Sequence, residues 1–456
     1  MEPLEIKDVI SVMDGEVSGR LSGVIHGVSI DTRSIHPGEA FFAVKGERTD
    51  GQKFSRDAEH KGAALLVLHD DPQYPATVPY LVVKNTVLAL GELASFYRQR
   101  FDLTVVGVTG SVGKTTTRRM IASSLGKSML VVESIKNYNN LLGVPLSVFQ
   151  IERMHDVAVL EAGISVPGEM ERLAKMILPD VVALTNVAPV HLEGLGSVEN
   201  VAREKFALVK YSNPGSYVIV NADDPLLVRF NPMAASQTVT YGIESSADYR
   251  AEDIVLDAEG KASFSVDGQR IALGIPGRFN IYNALCAYAV ARLFRVPGEK
   301  IVEALEGFRT LAGRMKLLRI GGITVLDDTY NANPLSVREA LETLARMKVE
   351  GRRIAVIGDM LETGKDEANY HEKIADYSCA VGVDFLATVG ERTQKTHEKA
   401  SSIGFPCAHF ETKKELILFL EGFVMPKDIV LVKGSRAMRM EEIVESIVEL
   451  WQKRLD

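Results

Sequence analysis

At 456 residues, with 46% apolar and 25% charged side chains, the chain has the make-up of a globular protein of about three domains. A net charge of −8 without any basic run excludes a phosphate-backbone partner, so no nucleic acid is expected. No window approaches the ~18 uninterrupted apolar residues of a membrane span, and MEPLEIKDVI is acidic where a signal peptide is basic, so a cytoplasmic protein is expected.

Residues 1–101 hold short strand-like runs at Ala40 to Val44, Ala63 to Leu68 and Tyr80 to Val83, separated by Gly, Pro and Asp turns. A helix-like stretch, Leu88 to Gln99, closes this small α/β unit.

Residues 102–312 open on the β-branched run Leu103 to Val108 and continue into TGSVGKTTT, Thr109 to Thr117, then a helix-compatible stretch from Arg118 to Leu125. Strand, glycine turn and helix in that order make a phosphate-binding loop, which points to a nucleoside triphosphate. The amides around Gly110, Ser111 and Gly113 would cradle phosphate oxygens, with Lys114 at the β- and γ-phosphates and the hydroxyls of Thr115 and Thr116 beside them. The usual G-x-x-x-x-G-K spacing puts glycine where this chain has Val108, and Gly110 stands in its place. Further apolar strands at Val157 to Leu160, Val181 to Leu184 and Tyr217 to Val220 predict a mostly parallel sheet covered by helices.

Glu161 follows the buried-looking run VAVL, where a carboxylate needs a partner or a cation, and magnesium fits. His191 follows the Val181 to Leu184 strand and could reach the same cleft, although a lone histidine is more often structural. Lys205 lies in a helix-like segment, where a solvated surface charge is the plain expectation.

Residues 313–456 repeat the alternation, with strands at Gly322 to Leu326, Arg353 to Ile357, Phe385 to Val389 and Ile429 to Val432, then an amphipathic helix from Met440 to Trp451. This reads as a Rossmann-like domain. The predicted fold class is therefore α/β in three domains: a small N-terminal unit, a central P-loop ATPase domain and a doubly wound C-terminal one. Ligands of such sheets lie at the carboxyl ends of the strands, which here carry Glu161, Thr185, Asn186, Asp327, Asp328, Asp359 and Lys433. Cys286, Cys379 and Cys407 lack C-x-x-C or histidine spacing, so reduced, mostly buried thiols are expected rather than disulfides or zinc.

The loop TGSVGKTTT, followed in order by NYNNLLGVP, LEAG, TNVAPVHLEGLGS, FNIYNA, DDTYNANP and LVKGSR, resembles the Mur ligases over essentially the whole chain. That family extends the peptide stem of bacterial cell-wall precursors. The strings DTRSIHPGEAFFAVKGERTDGQKF and GDMLETG look like the branch that joins D-alanyl-D-alanine to UDP-N-acetylmuramoyl-tripeptide. A D-N-P-R string, usual in the branch that adds a diamino acid, does not occur. A diamino-acid-adding ligase and a folylpolyglutamate-type ligase share the ATP site; from another class, a nucleotide-dependent switch shares the phosphate loop but needs no sugar-nucleotide domain.

The resemblance implies ATP, two magnesium ions and a monomer. Thr115, Glu161 and His191 would hold metal, and Lys205 matches a lysine that becomes a carbamate by reaction with carbon dioxide. Lys114, Lys205, His191 and Glu161 would form the catalytic set, while Asn283, Arg314 and Asp328 would contact ATP. Thr32, Arg33, Lys45, Gly46 and Arg48 would bind the uridine diphosphate end. Asn137 and Asn140 would line the junction with the peptide, near Tyr330 and Asn331, and Lys433, Ser435 and Arg436 would hold the incoming dipeptide. Four positions depart from the family pattern: Phe206 and Ala207 follow Lys205 where a polar pair is common, Gln52 replaces a histidine, and Thr363 stands in GDMLETG for leucine on an expected loop. The last domain is expected to move, closing onto the ATP domain.

Overall fold

The computed structural model describes residues 1–46, 49–230 and 237–453. Among these, a seven-stranded, wholly parallel sheet runs in the spatial order Tyr249–Arg250, Gln237–Gly242, Tyr217–Asn221, Val181–Leu184, Thr104–Thr109, Val157–Glu161, Val131–Glu133. Its central strands carry continuous apolar runs because helices cover both faces, and every residue of Val157–Glu161 and Val181–Leu184 is buried. Chain order reverses on either side of Thr104–Thr109. That switch point sets the phosphate loop between the carboxyl ends of Val157–Glu161 and Val181–Leu184, so Gly110, Glu161 and Thr185 emerge side by side.

The C-terminal sheet has six strands in the order Lys316–Ile320, Ile323–Asp328, Ile429–Lys433, Arg353–Gly358, Phe385–Val389, Cys407–Phe410, antiparallel only at its first pair. Asp328 and Lys433 end neighbouring strands in register. The helix Pro334–Arg346 starts just beyond, with Asn333 and Ser336 capping each other reciprocally and Pro334 in its first turn.

In the N-terminal unit, strands Gly15–Ser18, Tyr80–Val83, Leu65–Leu68, Glu39–Phe42 and Gly27–Ser29 form a five-stranded sheet. It does not keep its core to itself. Leu65, Val67 and Leu93 belong to the same apolar cluster as Leu160 of the central sheet and Val148 and Leu173 of the helices that cover it. Tyr97, in the helix Thr86–Arg98, donates to the carbonyl of Ile151 at 2.6 Å, while the Arg98 guanidinium donates to the carbonyls of Ile177 and Leu103 at 3.2 and 3.1 Å.

Beside the predicted strands the structure adds an antiparallel trio, Glu252–Leu256, Lys261–Val266 and Gln269–Pro276, which packs on the helix Asn280–Leu293 through Phe264, Ile271 and Ile275. The thiols differ from expectation: Cys286 is buried in that core, Cys407 is half-buried and Cys379 is exposed on the solvent side of its helix. No described helix is long and apolar enough to cross a membrane.

Candidate active site

The phosphate loop is shaped by close approach. Val108, where the usual motif has glycine, is a fully buried strand residue, whereas a Cβ on Gly110 would fall 1.8 Å from the Thr185 hydroxyl oxygen. Gly113, at φ +83°, faces the Asn283 carboxamide oxygen at 2.4 Å from an added Cβ and starts the helix Lys114–Leu125. The turn is braced from the next strand. Ser111 donates its backbone N–H to the Asn186 carbonyl at 2.8 Å, Val112 donates to the Asn186 side chain at 2.9 Å, and Thr185 donates to the Val112 carbonyl at 2.7 Å.

Lys114 folds over the loop and donates to the Gly110 carbonyl at 2.9 Å. Lys205 is 1% exposed and donates to the same carbonyl at 2.8 Å. Burial, with the Lys114 ammonium beside it, holds the Lys205 amine well below the usual lysine range. The side chain is buried, where a helical lysine suggests a solvated surface charge. Phe206, next along the helix, stacks on Phe230 with ring centres 6.2 Å apart.

Glu161 is also 1% exposed. Its Oε1 accepts from the Asn139 side chain at 2.8 Å, while Oε2 is buried and has no hydrogen-bond partner, its nearest cation being Arg118 at 3.8 Å. An orphaned buried carboxylate oxygen beside the Thr115 hydroxyl suits a hard divalent cation, which takes oxygen ligands. The residues present therefore fit magnesium, although no group of three or more His, Cys, Asp or Glu side chains gathers among the described residues. His191 lies on the same cavity wall, with its Nδ1 against the Glu362 carboxylate of the C-terminal domain.

One cavity of about 350 Å³ takes in Lys114, Thr115, Thr116, Glu161 and His191 from the central domain and Arg314, Asp328, Tyr330, Asn331 and Lys433 from the C-terminal one. The domains are thus closed on each other. Arg314 donates to the Thr115 hydroxyl at 3.1 Å with its guanidinium 3.9 Å from the Tyr330 ring centre. Lys348 donates its N–H to the Ala258 carbonyl at 2.8 Å, and Arg319 pairs with Glu259. Beside these polar contacts, Phe279 packs against the C-terminal apolar core.

Of the other expected residues, Asn140, Asn283 and Lys433 line the same cavity. Asn283 spends its carboxamide on Thr117 and Asn280, at 3.0 and 2.8 Å, and so buttresses the loop. Asn137 is exposed, and Asn139 occupies the cavity in its stead, together with Asn140. Lys433 is 2% exposed and donates to Asp328 at 2.5 Å and to the Asn331 carbonyl at 2.7 Å. Ser435 turns to the backbone, accepting from Leu361 N–H at 2.8 Å, and Arg436 reaches Glu441 at 3.1 Å. Thr363 lies on the expected loop, where it is 1% exposed.

A second cavity, of about 1000 Å³, opens between the N-terminal unit and the central domain and includes Thr32, Arg33, Gly46 and Tyr138. Arg33 grips Asp31, whose carboxyl it holds down at about 2. Lys45 is exposed, its backbone bridging that of Asp50 between the lining residues Val44 and Gly46, and Arg48 lies outside the described residues. Gln52 braces its own loop, donating to the Asp70 carbonyl at 2.7 Å. Sequence reading passed over Asn139, Glu339 and Glu362; the first and last lie inside NYNNLLGVP and GDMLETG, while Glu339 has only its position in the helix after DDTYNANP.

A phosphate loop at the switch point of a parallel sheet, roofed by a second doubly wound sheet that adds an arginine and a lysine, defines a nucleotide-dependent enzyme whose site is completed between domains. The Mur ligase middle domain matches residues 108–291, the Mur ligase glutamate ligase domain 313–436 and the catalytic domain of the Mur ligase family 24–98. The UDP-N-acetylmuramoyl-tripeptide--D-alanyl-D-alanine ligase of Bacillus subtilis (strain 168) is 33% identical over 93% of this chain and 94% of that one. The Escherichia coli (strain K12) protein of the same description is 32% identical over 98% and 99%. A crystal structure of MurF from Acinetobacter baumannii superposes with a TM-score of 0.91 at 28% identity, covering 98% of this chain and 99% of that one. MurF from Thermotoga maritima in complex with ADP gives 0.82 at 27%, covering 94% and 98%. The chain belongs to the Mur ligase family.

Proposed function

We propose that the chain is an ATP-dependent ligase that joins D-alanyl-D-alanine to UDP-N-acetylmuramoyl-tripeptide in peptidoglycan precursor synthesis. The observation that carries this is the shared cavity, which faces Lys114 of the phosphate loop with Arg314 and Lys433 of the C-terminal domain. Full-length relatives that carry this reaction in their names, and the ADP complex of one structural neighbour, support it.

Residues 1–101 would hold the uridine diphosphate end through Thr32, Arg33 and Gly46, residues 102–312 would bind ATP, and residues 313–456 would bring the dipeptide. Direct amide formation would expel hydroxide, so the tripeptide carboxylate first takes the γ-phosphoryl group and ADP is released. The dipeptide amine then attacks the acyl carbon, gives up a proton, and phosphate departs as the amide forms. Lys114 holds the transferring phosphoryl group, and Arg314 adds charge at the point where the domains meet. Magnesium, held by Thr115, Glu161, His191 and a carbamate on Lys205, would screen the phosphates from the incoming carboxylate. Closure keeps water from the acyl phosphate.

The test is ATP-dependent phosphate release with UDP-N-acetylmuramoyl-tripeptide and, in turn, D-alanyl-D-alanine, a free diamino acid or no amine. Stimulation by the dipeptide alone is expected. Equal release in all three arms would overturn the assignment in favour of an uncoupled ATPase or switch.

A further inference from the structure

Glu362 sits in GDMLETG, a string whose chemistry the ATP and peptide sites leave unused. It and His191 come from different domains, yet both hold the left-handed backbone conformation, at φ 63° and 53°. Non-glycine residues adopt that conformation where the surrounding structure fixes them, often at functional sites. The two loops interlock: Leu192 donates its N–H to the Glu362 carbonyl at 3.0 Å, and a Cβ on Gly364 would fall 2.9 Å from that of Leu192. The Glu362 carboxylate meets His191 at Nδ1, and Nε2 makes no hydrogen bond among the described residues. The same imidazole lines the cavity with Glu161 and Thr115.

We propose that Glu362 is a positioning residue that links domain closure to the metal-facing imidazole: by accepting a hydrogen bond from His191 Nδ1–H it fixes the tautomer in which Nε2 is bare. This rests on the reading given under Proposed function. A histidine that serves a cation through one ring nitrogen donates the other N–H to a carboxylate or carbonyl, which sets the ring's orientation and basicity. Here that carboxylate belongs to the moving domain. With the C-terminal domain swung away, His191 keeps its place in the chain but loses its orienting partner, so the complete site exists only in the closed enzyme and ATP is protected from idle hydrolysis. The contact is half-exposed, and its role is orientation rather than adhesion.

The experiment uses the full chain with 15N-labelled histidine, magnesium and a non-hydrolysable ATP analogue, the His191 signals being assigned with His191→Gln. In the wild type the Nδ1–H tautomer is expected, and in Glu362→Ala a shift toward Nε2–H. Dipeptide-dependent phosphate release is expected to fall ~10- to 100-fold in kcat for Glu362→Ala, with KM for the tripeptide unchanged. Glu362→Gln, whose carbonyl still accepts from Nδ1–H, is expected to retain most of the rate. An unchanged His191 tautomer in Glu362→Ala, or a Glu362→Gln enzyme as slow as Glu362→Ala, would overturn the proposal. A wild type indifferent to the dipeptide would instead overturn the ligase reading, and the tautomer comparison would still decide the role of Glu362.

Discussion

Lys205 and Lys114 both donate to the carbonyl oxygen of Gly110, at 2.8 and 2.9 Å. Two ammonium groups sharing one oxygen in a buried site repel each other, and burial with that repulsion holds the Lys205 amine well below the usual lysine range. A neutral amine is the form that attacks carbon dioxide. A sample charged with 13C-bicarbonate is therefore expected to show a carbamate resonance near neutral pH that is missing from Lys205→Ala. That variant should lose ~10- to 100-fold in rate, with partial recovery on adding a small carboxylate. A Lys205→Ala enzyme of wild-type rate would remove the carbamate from the mechanism.

Arg314 ties the domains together at the phosphate loop. It presents a planar fork that stacks 3.9 Å from the Tyr330 ring centre while donating to Thr115, and lysine matches neither geometry. Arg314→Ala and Arg314→Lys are both expected to lower dipeptide-dependent kcat, by ~100-fold for alanine. Thermal stability should hardly change. Full activity in Arg314→Lys would show that only the charge matters.

Much of this was legible because buried parallel strands announce themselves as uninterrupted apolar runs. Val157–Glu161 and Val181–Leu184 fall within a residue of their expected limits, and the polar residue at each carboxyl end faces the cavity or braces its loop. The antiparallel trio was missed although it had a signal: KASFSV alternates along Lys261–Val266, and Asp267–Gly268, both at positive φ, make the tight turn into the next strand. Which asparagine of NYNN faces inward could not be read, because that depends on how the loop lies against Glu161, a contact made across 22 residues. Pairs such as His191 with Glu362, 171 residues apart, are set by domain docking, which no local pattern encodes.

The thiols give a simple check on that docking and on the central core. Burial pushes Cys286 up to about 12, so its thiolate is scarce at neutral pH, and the residue is sealed under the antiparallel trio. Cys379 is open to solvent. A disulfide reagent is expected to label Cys379 first in the native protein and Cys286 only after denaturation. Rapid native labelling of Cys286 would mean that the trio does not pack on the Asn280–Leu293 helix as described.

Glu339 brings an unexpected carboxyl to the cavity wall near Lys433 and Asp328. Burial pushes it up to about 8, against the opposing pull of Arg338 and Lys433. The folded protein therefore keeps a proton that the unfolded chain releases with an ordinary glutamate pKa of ~4.3. The sign follows: this stabilisation is complete below the unfolded value and is lost as pH rises through about 8, where a desolvated charge must form. Glu339→Gln keeps the shape and removes the titration. Its melting temperature is expected to match the wild type below ~pH 4, to exceed it by a margin that widens as pH rises toward about 8, and to keep that margin above, read by calorimetry across that range. A difference that does not vary with pH would place the Glu339 carboxyl in contact with water, at its ordinary pKa.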